Sequence, residues 1–241
     1  MKAKAAIIAL SMLIGFAGAV SVCLAQGKLL RKTDLEYLGA FRVPQGDHGS
    51  PLYSGFNYGG TALAYNPKRN SLFLAGHAWY QLTAEISIPR IVKSARLEDL
   101  KTARVLQSFA DVTEGHRSDI GKGRATVDTS GEPLGGLMVW NGKLLGTVFG
   151  YYDAANVVRL SHFTSGLDFS ATGDFEGMYK VGKAPAVPNP AFIDGYMTEI
   201  PPEWTSKFGG PALTGNCCLS IISRTSLGPA ASVFDPDDLG L

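Results

Sequence analysis

Short segments of alternating apolar and polar residues run through most of this chain, and turn residues separate them. From Gly59 to Val112 the segments are GGTALAY, SLFLAGH, TAEISIP and ARVLQSFADV, with Asn-Pro-Lys-Arg-Asn between the first two. A period of two is typical of strands with one buried face, and turn residues between two such runs favour a hairpin. The pattern therefore predicts four antiparallel strands in succession.

The same order recurs twice further along the chain. From Gly135 it reads GGLMVW, Asn141-Gly142, KLLGTVFGYY, NVVRLSHF and EGMYKV, and from Gly209 it reads GGPALTG, CCLSIISR and PAASVFDP. Asn-Gly between apolar runs is a strong hairpin signal. We therefore predict three units, near 59–112, 135–182 and 209–241, of which the third lacks its fourth strand.

Two sequence landmarks recur at nearly the same spacing along the chain. Paired glycines begin at 59, 135 and 209, and an aspartate followed by an apolar residue stands at 99, 168 and 238, so the spacings are 76, 74, 69 and 70 residues. Four antiparallel strands, repeated, are typical of β-propeller blades. The sequence predicts an all-β, β-propeller-like fold of about three units. A β-sandwich is the alternative, although it predicts no period.

One further alternating segment, EYLGAFRVP at 36–44, has no unit of its own. In closed propellers an N-terminal strand often completes the last blade, and here it would complete the third unit. Rings usually need at least four blades. We therefore expect a C-terminally truncated copy of a longer protein with an incomplete ring, or a ring closed between chains; the alternative is a three-unit β fold that is not a propeller.

The segment NPKRNSLFLAGH resembles the inner hairpins of secreted bacterial β-propeller proteins, a likeness that extends over 36–241 only through short, degenerate motifs. Such proteins are often of unknown function. The resemblance implies a fold, and it implies no activity because one fold serves many functions. The sequence has no GxSxG, HExxH, CxxC or EF-hand pattern.

The N-terminus predicts export. Lys2 and Lys4 precede an apolar run at 5–20, and small residues follow, which is the order of a signal peptide, here assigned to 1–25. A retained anchor is disfavoured because the run is shorter than the roughly 20 residues of a span, so no integral membrane span is expected after cleavage. Lipid attachment at Cys23 is the other option, although the residue before it is bulkier than such processing favours.

Charge and composition limit the classes of partner that the sequence predicts. The formal net charge is +1, from 22 basic and 21 acidic residues spread along the chain. This distribution offers no basic patch, so nucleic acid and anionic membranes are not expected partners. The 29 glycines and 13 prolines suit many short strands joined by tight turns.

Aromatic residues and histidine follow the second strand of the first two units, in GHAWYQ and GYYDAANVVRLSH. Equivalent positions in successive blades face the same rim, and aromatic faces beside polar groups suit a sugar-binding groove. Packing at blade ends uses the same residue types. The predicted ligand-binding residues are His77, Trp79, Tyr80, Tyr151 and Tyr152. Asp153 and His77 are the first candidates for a general acid or base.

Carboxylates are concentrated in 111–133, the longest stretch without strand periodicity. Asp111, Glu114 and Asp119 are candidate cation ligands, because clustered carboxylate oxygens suit calcium. The alternative is a solvated loop between units. Calcium is the only cofactor that the sequence suggests.

Cys217 and Cys218 are adjacent in a predicted strand. Successive strand residues point to opposite faces, so the two thiols do not suit one metal ion, and no histidine or further cysteine lies nearby to complete a zinc site. Export favours disulfides. A bridge between the two neighbours, a bridge between chains and two buried thiols all remain open.

The segment PPEWTSKFGG predicts a short helix with Trp204 and Phe208 on one face, and Trp204 is expected to fill apolar surface between the second and third units. Three functions fit the sequence as a whole. The first is an exported protein that binds a glycan or surface polymer. The alternatives are an extracellular polysaccharide hydrolase or lyase with part of its site in missing blades, and a structural protein of a surface or particle. Whether the protein is an enzyme stays open.

Overall fold

The computed structural model describes residues 30–49, 54–121, 132–150, 153, 156–182, 187–216 and 231–240. The predicted signal peptide, Tyr151, Tyr152, Cys217 and Cys218 lie outside the described residues. The chain divides into two compact units, Met1–Tyr37 and Leu38–Leu241. The first contributes a 3-10 turn at Lys32–Asp34, and the second contains the strands.

The first sheet consists of four antiparallel strands in the order of the chain. They are β1 (Leu63–Asn66), β2 (Ser71–Ala75), β3 (Thr83–Ser87) and β4 (Val105–Ala110). β2, β3 and β4 fall within segments that alternation predicts, and β1 extends one residue beyond its predicted segment, to Asn66. In β1 the exposed and buried positions alternate residue by residue, as the pattern requires of a strand with one buried face.

The second sheet repeats this order with β5 (Leu134–Trp140), β6 (Lys143–Val148), β7 (His162–Ser165) and β8 (Glu176–Tyr179). Asn141 and Gly142 join β5 to β6 with φ of 46° and 79°. Positive φ at both central residues is the signature of the two-residue turn that suits a twisted hairpin, so the Asn-Gly prediction is confirmed in detail.

The third sheet begins one strand earlier than the sequence predicts. It pairs β9 (Met197–Glu199), β10 (Ala212–Gly215) and β11 (Ala231–Phe234), so that GGPALTG supplies a central strand rather than a first one. A three-residue strand is too short to show alternation, and this is why β9 escapes sequence analysis. The predicted strand CCLSIISR lies outside the described residues.

Helix α1 (Pro202–Phe208) connects β9 to β10 and confirms the predicted helix. Gly209 ends it with a φ of 82°, the left-handed conformation common after helices. Trp204 does not fill a gap between units: it is 44% exposed and lies against Phe208 and beneath the ammonium group of Lys207.

The N-terminal segment pairs with the first sheet's β3–β4 connection and not with the third sheet. Ala40 exchanges backbone hydrogen bonds with Val92 at 3.1 and 3.0 Å, and Arg42 does so with Lys101 and Ala103 at 2.8 Å each. Phe41 packs against the small core cluster of Leu74, Ile86 and Ala103. The β3–β4 connection offers backbone donors and acceptors beside an apolar cluster, which explains this placement.

The main core lies between the first and second sheets, and a smaller cluster joins the second to the third. Phe73 of the first sheet and Leu144 and Phe163 of the second are fully buried in the main core. Met138, Leu145 and Ala212 form the smaller cluster. The first strands of the sheets are spatial neighbours, because β1 contacts β5 and β5 contacts β9. The described chain is therefore an all-β protein of successive antiparallel sheets, as predicted.

Gly135 is required where the second and third sheets approach. A Cβ atom at this position would lie 2.0 Å from the carbonyl oxygen of Asp194 and 2.8 Å from the hydroxyl of Thr147. Because one contact is with backbone, we expect Gly135→Ala to lower the free energy of unfolding by about 3 kcal/mol or more. Urea denaturation measures this loss.

Gly142→Ala is the comparison for this prediction. Nothing lies within 4 Å of a Cβ at Gly142, so only its positive φ opposes the substitution, at a cost of about 1–2 kcal/mol. Equal losses for the two variants would show that the close approach at Gly135 is not rigid.

Candidate functional site

One end of the three sheets brings together the segments that sequence analysis singles out. In each sheet the first strand begins where the second ends, as the pairs Leu63–Leu74, Leu134–Val148 and Met197–Thr214 show. We call this the loop end. It carries the β2–β3 loop, the β6–β7 connection and the segment before β9.

Two side chains tie these segments across sheets. The Gln81 side-chain oxygen accepts a hydrogen bond of 2.8 Å from the backbone N–H of Leu134 at the start of β5. The Thr147 hydroxyl, at the end of β6, donates one of 2.8 Å to the carbonyl of Gly195, just before β9. The loop end is therefore continuous from the first sheet to the third.

An aromatic patch of Tyr58, His77, Trp79 and Tyr80 stands on the loop end. The imidazole of His77 is at its centre, with ring centroids 5.5 Å from Tyr58, 5.9 Å from Trp79 and 5.4 Å from Tyr80. Trp79 is 84% exposed and Tyr58 is 86% exposed. The predicted residues His77, Trp79 and Tyr80 thus share one surface, on which Trp79 is exposed and His77 and Tyr80 are partly buried.

Backbone hydrogen bonds hold this patch in place. His77 donates its N–H to the carbonyl of Gly55 at 3.0 Å, and Ala78 donates to the carbonyl of Tyr58 at 3.1 Å. The backbone N–H of Trp79 donates to Nδ1 of His77 at 3.2 Å, so a neutral imidazole carries its proton on Nε2. Tyr58 was missed by sequence analysis because it precedes the first strand, although FNYGG already places an aromatic pair beside the glycines.

Asp153, the first candidate acid or base, is buried and holds its own loop. Its two carboxyl oxygens accept hydrogen bonds from the backbone N–H groups of Val157 at 2.7 Å and Val158 at 3.1 Å. These contacts give Asp153 a role in shaping the β6–β7 connection. The structure does not place it in the aromatic cluster around His77.

Asp194 is a second buried carboxyl group at the loop end, and no motif or spacing in the sequence indicates it. Burial raises the pKa of Asp194 well above its ordinary value; a hydrogen bond from its own backbone opposes the shift, and the charge of Asp153 adds to it. A carboxyl group with a raised pKa can retain its proton and act as an acid. Asp194 is thus the chemically unusual group of this region.

His162 links the second and third sheets below the loop end. The Thr214 hydroxyl donates to the carbonyl of Ile193, and Nε2 of His162 lies 3.1 Å from the same hydroxyl oxygen. Since that hydroxyl has one proton, Nε2 donates to it, and Nδ1 accepts from the Ser161 hydroxyl at 2.8 Å. Burial lowers the pKa of His162 to about 3, so this imidazole is neutral.

The three predicted cation ligands have separate protein partners. Asp111 accepts from the backbone N–H groups of Thr113 and Gly115, and Glu114 accepts from those of Gly173 and Asp174. Asp111 and Glu114 line a cavity of about 350 Å³, and Asp168 and Asp174 also line it. Asp119 is not among the residues of that cavity.

Asp119 instead pairs with Nδ1 of His116 at 2.8 Å. Within the described ranges, no three histidine, cysteine, aspartate or glutamate side chains are grouped so that they could hold a metal ion. Two of the three predicted ligands, Asp111 and Glu114, therefore line one cavity that Asp119 does not line, and calcium stays a prediction.

Comparisons with known protein families, curated proteins and solved structures gave no match to this chain. In the part of the chain that the structure describes, no helix has the length and apolar character needed to cross a membrane. Fold and site together define the class of protein: an all-β protein of successive antiparallel sheets with an exposed aromatic patch on their loop end.

Proposed function

We propose that this chain is an exported, β-propeller-like protein that binds a glycan or surface polymer through the aromatic patch. The observation that carries the proposal is the exposure of Trp79 and Tyr58, each of which contacts the ring of His77. Clustered apolar rings in water are costly, and such patches mark binding surfaces. Sugars are suitable occupants because their C–H faces stack on aromatic rings.

The order of the sheets supports the propeller-like part of this proposal. The first strands of successive sheets are neighbours, as inner strands are around a propeller axis. The aspartate landmarks also occupy matching places, since Asp99, Asp168 and Asp238 each lie after the third strand of their sheet. In such an arrangement loops of one end gather on one face, where ligands are usually held.

A sugar ring on the patch would meet both apolar and polar groups. The exposed faces of Trp79 and Tyr58 supply stacking, and the imidazole of His77 places a polar group beside them. Aromatic contacts of this kind contribute about 0.5–1.5 kcal/mol each beyond the burial of area. Several together suffice for a repeating polymer, whose many units compensate for weak single contacts.

We expect Trp79→Ala to weaken polysaccharide binding by at least about tenfold, since exposed tryptophans at binding surfaces often dominate affinity. The probes are soluble glucan, mannan, galactan and xylan, and the measurement is affinity electrophoresis followed by titration calorimetry. Trp204→Ala is the matched control, because Trp204 is also exposed but lies on helix α1. Equal effects of the two variants, or no binding to any of the polymers, would contradict the proposal.

Asp194 is the observation that favours a second candidate, a polysaccharide hydrolase. A carboxylic acid that keeps its proton can protonate the departing glycosidic oxygen while a carboxylate activates water. Asp153, whose two oxygens accept from Val157 and Val158, is the neighbouring carboxylate, and its charge contributes to the raised pKa of Asp194. Release of reducing ends from a bound polymer, abolished by Asp194→Asn, would select this candidate over simple binding.

A further inference from the structure

A cavity of about 230 Å³ lies at the opposite end of the second sheet, beside the β5–β6 turn. Pro236, Asp237 and Leu239, which follow β11, form one wall, and the apolar side chain of Leu145 contributes to the lining. The polar and aromatic residues of the lining are Trp140, Asn141, Lys143, Thr164, Glu176, Tyr179 and Asp237. We call it the far-end cavity.

Asp237 fixes one side of the far-end cavity. Its Oδ1 atom accepts a hydrogen bond of 2.7 Å from the indole N–H of Trp140 and one of 2.9 Å from the side-chain amide of Asn141. These bonds join the β5–β6 turn of the second sheet to the residues that follow β11 of the third sheet. The Trp140 ring is therefore held in a defined position before any ligand arrives.

Glu176 organises the other side. Its Oε2 atom accepts from the ammonium group of Lys143 at 3.0 Å and from the hydroxyl of Tyr179 at 3.2 Å. The bond from Lys143 is the main reason that the pKa of Glu176 lies below its ordinary value. Glu176 and Lys143 are both about half exposed, so their charges are accessible from solvent.

The composition of the far-end cavity indicates the chemistry of its ligand. The lining has two aromatic rings, two carboxylates that accept hydrogen bonds, one ammonium group and one amide that donate them, and the hydroxyl of Thr164. The lining carries one positive and two negative charges, which disfavours an anionic ligand. The volume is below that of drug-sized pockets, which begin near 300 Å³, and suits a single ring.

We propose that the far-end cavity binds one neutral sugar ring, stacked on Trp140 and hydrogen-bonded through its hydroxyls to Glu176, Lys143 and Asn141. This site shares no residue with the aromatic patch and extends the proposed function. A chain with both sites would contact a glycan at two ends of its sheets. Two linked contacts raise the overall affinity without strengthening either one.

The test uses tryptophan fluorescence of the full chain. The protein has three tryptophans, so Trp79→Phe combined with Trp204→Phe leaves Trp140 as the only one and also alters the aromatic patch. The probes are the methyl glycosides of glucose, galactose and mannose, and N-acetylglucosamine. We expect a saturable change in Trp140 emission with at least one of them.

Substitutions at the carboxylate complete the test. In the single-tryptophan background, Glu176→Ala should weaken binding by at least about tenfold, and Glu176→Gln, which keeps the shape, should weaken it as well. Asp99→Ala is the matched control, because Asp99 is an exposed carboxylate paired with Arg96 elsewhere on the surface. Circular dichroism verifies that each variant is folded.

Three results would overturn this inference. They are no saturable change with any neutral sugar, binding that is indifferent to both Glu176 variants, and binding of glucosamine or glucuronate alone. None of them bears on polymer binding by the aromatic patch, which is measured with Trp79 and Trp204 variants that leave the far-end cavity intact. The two proposals therefore fail separately.

Discussion

Glu85→Ala is expected to lower the free energy of unfolding by about 3–5 kcal/mol, because it removes the acceptor that several donors share, and each buried donor left unmatched costs about 1–3 kcal/mol. The Glu85 side chain is fully buried in the first sheet and accepts from four donors: Asn66 at 3.2 Å, Arg69 at 2.8 Å, Gln107 at 2.6 Å and the Ser71 hydroxyl. Removing the carboxyl group leaves buried donors without an acceptor, and each such group is costly.

The loss should extend to the contact between sheets. Gln107 also donates to the carbonyl of Leu167 at 2.8 Å and accepts from the backbone N–H of Phe169 at 2.9 Å. Without Glu85 the amide group of Gln107 loses one of the partners that orient it. The contact between the first and second sheets should therefore become less stable.

Chemical denaturation with circular dichroism measures the effect of Glu85→Ala. Asp99→Ala is the control, because it removes an exposed ion pair, and such pairs contribute about 0–1 kcal/mol. Hydrogen exchange should report faster opening of β4 in the Glu85 variant. If Glu85→Ala cost no more than Asp99→Ala, the buried network would not be a source of stability.

Acid is expected to destabilise the protein through His162. The folded-state pKa of His162 is about 3, whereas an unfolded chain has a value near 6.5. Below pH 6.5 the unfolded state binds a proton that the folded state excludes, so stability falls as the pH falls. The slope is about 1.4 kcal/mol per pH unit, on the order of 4–5 kcal/mol in total by pH 3.

Other groups titrate in the same range, so the prediction is a difference between variants. The raised pKa of Asp194 acts with the opposite sign, because stability from a carboxyl group that stays protonated is retained in acid and lost as the pH rises. Subtracting the profile of His162→Gln from that of the unaltered protein isolates the imidazole.

His116→Gln is the matched variant for this experiment, since His116 is half exposed and pairs with Asp119 at the surface. The measured quantity is the free energy of unfolding at pH 7 and at pH 4.5. The drop between them should be smaller by about 2–3 kcal/mol in His162→Gln than in His116→Gln. Equal decreases in the free energy of unfolding would mean that His162 is protonated without disrupting the contact between the second and third sheets.

Strand positions were largely predictable because they depend on local pattern. The β5–β6 hairpin is the clearest case, since alternation and Asn141-Gly142 specify both its strands and its turn. Failures came where pairing is not local or where an element is too short. The N-terminal segment alternates as a strand does, but nothing in its own residues indicates that Val92 is its partner. The three residues of β9 are too few to show a period.

The candidate site was predictable in part for the same reason. His77, Trp79 and Tyr80 follow a strand in a loop, where exposed aromatic residues are noticeable in the sequence. Asp194 and Glu85 are noticeable only once the fold is known, because their importance comes from burial and from partners in other elements. Glu85 lies 22 residues from Gln107, and the alternation of TAEISIP gives no indication that a carboxyl group is enclosed there.

Gln107 has a consequence for how this chain can diverge. One amide group satisfies a buried carboxyl group on one side and a backbone carbonyl and N–H on the other. A paired change to apolar residues at 85 and 107 would still leave Asn66 and Ser71 without their acceptor, and the Leu167 carbonyl and the Phe169 N–H without their partner. Divergence at either position therefore requires compensating changes in several other residues of the first sheet.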